Sequence, residues 1–151
     1  MLRGRSASSL QKLDCCQGVL AQGKAQDAEV KSFATMMVTE HQEALVRGKT
    51  LVQQLGLAPA QTSRTRQLAA EAESALALLK PLAGLAFDRA YIQAQVTMHT
   101  KVLALIDAEL LPVAQAAALK TELAAMRTHV ATHSAQAEMI LAKLDAGAGN
   151  L

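Results

Sequence analysis

Eight positions near the C-terminus fix what this chain can become. Leu119, Leu123, Met126, Val130, His133, Ala137, Ile140 and Leu144 follow one another at alternating spacings of four and three, without a break. A strand would set its apolar residues at every second position; this rhythm lines one face of a helix. A seven-residue repeat is also the pattern of a helix packed lengthwise on another helix. It predicts a helix from roughly Ala116 to Leu144. The core must be built without bulky rings, because 51% of residues are hydrophobic and only 2% aromatic. Ala, Leu and Met then fill the interior, which suits close-packed helices better than a β-sandwich.

The same spacing recurs upstream. Between Leu85 and Leu111, Phe87, Tyr91, Ala94, Met98, Val102 and Leu105 form one stripe. Asp88, Ile92, Gln95, His99, Leu103 and Ile106 form a second beside it. Two adjacent stripes make a wide buried face, as a helix touching two others needs. Pro81 and Gly84 precede this helix and Pro112 ends it. A short first helix is predicted from Ser8 to about Gly23. A long second helix follows an Asp27 N-cap, with Glu29 in its first turn, and ends at Gly56. Its stripe is Val30, Phe33, Met37, His41, Leu45, Gly48, Val52 and Leu55. An Ala-rich third helix runs from Ser63 to Leu79. The fold class read from these elements is all-α: an antiparallel bundle of four main helices with a short additional N-terminal helix. At 151 residues the chain is read as one domain, with a flexible segment 1–7, the bundle at 8–145 and a disordered tail at 146–151.

Composition removes several functions. Fifteen Lys and Arg stand against 13 Asp and Glu, with no basic cluster and few rings to stack on bases, so nucleic acid is not expected as a partner. Charges interrupt every apolar run before it reaches the length of a transmembrane segment. A protein partner, or a homo-oligomer formed through an exposed helix face, is compatible with the pattern. No apolar run follows Arg3 and Arg5, so a cytoplasmic location is expected if Met1 is the native start. Cys15 and Cys16 are adjacent and cannot staple the fold; they read as small buried or half-buried side chains.

Chemistry is confined to the histidines. His41, His99 and His133 lie on three different helices, all on apolar stripes, with Asp88 and Asp14 as candidate carboxylates. Such a set could accept a single transition metal, Zn, Cu or Fe. His129 and His133, one turn apart, could also chelate together. Met37, Met98 and Met126 lie near histidines, but methionine at helical spacing is ordinarily packing. A di-iron centre wants paired Glu-x-x-His motifs. The residues three before each histidine are Val38, Val96, Met126 and Val130, so that signature is missing. No Ser-His-Asp, Cys-His or nucleotide-loop pattern points to an enzyme. Folding the chain at its Gly and Pro breaks and counting about 1.5 Å per residue sets His41 and His133 near the level of Asp88 and Tyr91. The same count sets His99 about three turns away, near His129 and Met126. A metal set of His41, His133 and Asp88 is then expected, with His99 as an additional ligand or in a separate layer. The competing expectation is a structural layer of hydrogen-bonded histidines partnered by Asp88, Tyr91 and Gln95.

Three segments carry a family resemblance: GKAQDAEVKSFATMMVTEHQEA (Gly23–Ala44), LAGLAFDRAYIQAQVTMHTKVL (Leu82–Leu103) and THVATHSAQAEMI (Thr128–Ile140). They resemble the E-V-K-x-F-A-x-x-M-x-x-[DE]-H segment, the F-D-x-x-Y-[IL]-x-x-Q-V-x-x-H segment and the late helical His of the DUF4142 family. The resemblance implies a ferritin-like four-helix bundle and a bacterial, exported, hence periplasmic protein. It further implies a non-enzymatic structural or interaction module linked to the envelope or to stress.

Overall fold

The computed structural model describes residues 8–58 and 62–148, with side chains from Cys16 onward. Among them every regular element is helical: α1 Ser8–Lys24, α2 Ala28–Gln54, α3 Ser63–Leu79, α4 Gly84–Leu105, a π-helical turn Ile106–Leu110, and α5 Ala117–Ala148. The all-α reading therefore holds, and α3 has the bounds its sequence predicts. Residues 146–148, expected as tail, extend α5 instead. The expected flexible segment 1–7 and the positions 149–151 lie outside the described residues, as does the side chain of Asp14. The chain divides into two compact units, Met1–Phe87 and Asp88–Leu151.

In the first unit α1 packs on α2 and α3. The approach to α2 depends on Gly18. A Cβ there would lie 2.8 Å from Cγ2 of Val38 and 3.4 Å from the carbonyl of Ala34. Gly18→Leu is expected to lower stability by about 1–3 kcal/mol, the usual range for overpacking, as read by urea denaturation. Gly18→Ala should cost far less, because its better helix propensity offsets a single displaced methyl by about 1 kcal/mol.

Polar contacts close the same unit. Gln17, buried on α1, donates from Nε2 to the carbonyl of Ala72 on α3 at 3.0 Å. Lys24 donates to the carbonyl of Lys80, the C-cap of α3, at 2.6 Å, and its ammonium lies 5.3 Å from the centroid of Phe87. A cation is well placed at a helix C-terminus, where carbonyls point outward unpaired. Asp27 caps α2 by accepting from the backbone N–H groups of Glu29 and Val30 at 2.8 and 3.1 Å. Gly56 ends it with φ of 63°, the left-handed conformation a Schellman motif requires; Leu57 then donates to Val52 and Gly56 to Gln53. Val30, Phe33, Ala34 and Met37 form the buried face of α2. Past Met37 no side chain of this helix is fully buried, and His41 is half-buried. Cys16 is exposed, against the expectation of a buried or half-buried thiol. It falls on the outer side of α1, one position before buried Gln17.

The second unit is an antiparallel helical hairpin. Asp107 accepts from Nε and Nη2 of Arg127 at 2.6 and 3.0 Å, a two-point carboxylate–guanidinium pair. Arg89 meets Asp145 at 2.6 Å near the other end. These pairs set the register. Pro112 shapes the bend: it has no N–H for the carbonyl of Ala108, and its ring crowds that carbonyl. The turn before it widens, with Leu111 donating to Ile106 at 2.9 Å. The chain then makes a further helical turn, Ala114 donating to Leu110 at 3.1 Å.

The Arg127 guanidinium, by hydrogen bond and then by charge, holds the Asp107 carboxyl below the usual carboxylate range, with slight desolvation opposing it. A carboxyl depressed in the folded state contributes stability above its unfolded pKa of about 3.9 and loses it as pH falls through the folded value. Asp107→Asn should therefore destabilise at pH 6 and have a smaller effect at pH 2. Urea unfolding at the two pH values measures the difference, which salt should reduce because the pair is half-exposed.

Candidate metal centre

The buried face of α4 within the second unit carries Asp88, Tyr91, Ile92, Gln95, His99 and, in the π turn, Ile106. Of the two predicted stripes, the one bearing Asp88, Gln95 and His99 is the more deeply buried. On α5 the predicted heptad faces inward, with Leu123, His133, Ala137, Ile140 and Leu144 buried. His99 and His133 are 5% and 4% exposed, which takes both rings out of bulk water.

The two rings meet. Their centroids are 5.5 Å apart and the planes nearly perpendicular, at 86°. This corrects the level count, which separated His99 from His133 and placed His133 beside Asp88. Asp88 precedes His99 by 11 residues on the continuous helix α4, about 16 Å of rise, so it cannot share an ion with that pair. Its level on α5 is marked by the neighbouring Arg89–Asp145 pair. His41 stands on α2, in the first unit.

The protonation of His99 follows from its contact. Nδ1 lies 2.7 Å from the backbone carbonyl of Gln95, one turn earlier. A carbonyl oxygen only accepts, so Nδ1 carries the hydrogen, and Nε2 of the neutral ring carries the lone pair. A histidine oriented in this way by a backbone acceptor is the usual support for a metal ligand. The sequence pointed to Gln95 as a partner through its side chain; its main chain supplies the contact instead.

His133 has a second neighbour. His129, one turn earlier on α5 and exposed, has its ring centroid 6.3 Å away at 49°. Ligating nitrogens of His99 and His133 lie within 4.8 Å of each other, and so do those of His129 and His133. Two nitrogens on a tetrahedral zinc, each at about 2.0–2.1 Å, are about 3.3 Å apart, so modest ring rotation would bring either pair onto one ion. Imidazole nitrogens suit Zn, Cu and Fe alike.

No helix of the described residues is long and apolar enough to cross a membrane. No curated protein and no solved structure matches the chain. One family model does, Domain of unknown function (DUF4142), over residues 5–140, nearly the whole length. With that match beside an all-helical fold, the chain belongs to the DUF4142 family.

Proposed function

We propose that the protein is a non-enzymatic helical module that holds one divalent transition-metal ion on the second unit, through Nε2 of His99 and a ring nitrogen of His133. The observation that carries this reading is the His99 Nδ1 contact to Gln95 beside the His133 ring. A neutral imidazole with its ligating nitrogen oriented, next to a second buried imidazole, is a pair that gains from a shared cation. The non-enzymatic part rests on the sequence, where no Glu-x-x-His pair and no nucleophile pattern occurs. Family resemblance supports a ferritin-like arrangement and an envelope setting in the periplasm.

Equilibrium dialysis of tag-free protein against Zn(II) tests the reading. Wild type should hold about one equivalent, and His99→Ala/His133→Ala almost none. Less than about a tenth of an equivalent on wild type, or equal binding by the double variant, would remove the metal and leave a purely structural histidine layer. His41→Ala in the same dialysis decides the sequence-based assignment of His41.

A further inference from the structure

We infer that His129 is a capture ligand, which takes a hydrated ion at the surface of α5 and passes it to the buried His99–His133 pair. The inference rests on the metal-binding reading above and adds a route to it. His133 belongs to both pairs, and the other two histidines differ sharply in access: His129 is exposed and His99 is 5% exposed.

A buried pair on its own faces a kinetic problem. An aqueous divalent ion arrives with its water shell, and shedding several waters before any replacement forms is costly. Two histidines one turn apart on a helix form a ready chelate, because side chains at that spacing lie on the same face. At the outer pair, each imidazole nitrogen replaces one water, and the ion keeps its charge. His133 then remains bound while His129 leaves and Nε2 of His99 takes its place. One nitrogen is exchanged for another, no electron moves, and no proton moves if the rings are neutral. At no point is the ion without a protein ligand.

This route has a kinetic signature that a permanent ligand lacks. A transient ligand lowers the barrier in both directions, so its loss slows binding and release together and leaves the equilibrium constant in place. Stopped-flow mixing of tag-free full-length protein with Zn(II), read by a zinc indicator dye, measures both rates. His129→Ala should cut the association and dissociation rate constants each by about tenfold or more, with affinity within about threefold of wild type. His99→Ala should keep fast capture and release the ion faster. An association rate for His129→Ala within about twofold of wild type would overturn the relay while leaving the metal site standing. So would an affinity loss as large as that of His99→Ala, which would make His129 a resident ligand. Absence of Zn(II) binding by wild type in the dialysis would remove both readings. Since His129 is exposed, its removal leaves the packed face of α5 intact, and circular dichroism melts of the variant verify this.

Discussion

Phe87→Ala is expected to lower the stability of the protein by about 3–5 kcal/mol, the range found when a buried aromatic is cut back to a methyl. Phe87 is fully buried and is among the largest such side chains. The chain has two Phe, one Tyr and no Trp, so few of its side chains are large enough to refill the space. The first unit also loses the ring that faces the Lys24 ammonium, a contact of about 0.5–2 kcal/mol. Domains of this size have about 5–15 kcal/mol in all, so the variant should sit near the edge of folding at 37 °C. Phe87→Leu keeps most of the volume and should cost much less. Urea denaturation followed by circular dichroism gives both values. A loss below about 1 kcal/mol for the alanine variant would mean that the site collapses around the missing ring.

His133→Ala should weaken Zn(II) binding more than any other single substitution, by at least about 100-fold, the upper end of what is lost when even a supporting partner of a ligand is removed. It removes the residue common to both histidine pairs. His99→Ala should follow, because His129 and His133 can still hold the ion at the surface. His129→Ala should change affinity least. Competition with a zinc chelator of known affinity orders the three. An order with His129→Ala first would place the resident ion at the exposed edge of α5 rather than between the helices.

Helix identity was legible because local signals agreed with each other. Asp27 and Gly56 bracket α2, and Pro81 and Gly84 separate α3 from α4, where the backbone has to leave the helical path. The burial of His99 and His133 followed from periodicity alone. Their meeting did not. Sequence placed His133 beside Asp88, whereas Arg89 pairs with Asp145, twelve residues further along α5, or about three turns. Pro112 was taken as the end of the outward run, yet the chain makes another turn beyond it before reversing. Any residue added before the reversal shifts every partner on the returning helix by two, so a small error at the bend grows down the hairpin. Asp107–Arg127, which would have fixed the register, joins residues 20 apart, and no short-range pattern announces it. The orienting group of His99 was hidden for another reason: every residue has a carbonyl, and nothing in the sequence singles out that of Gln95.

The wide turn at Ile106–Leu110 takes up one more residue than an ordinary helical turn would. Deleting a single residue there would restore an even coil and advance everything after it by about 100° of rotation. Arg127, His133 and Asp145 would swing away from Asp107, His99 and Arg89 together. That short segment thus acts as the phase setting of the returning rod, and natural variation in its length would be tolerated only if several side chains changed with it.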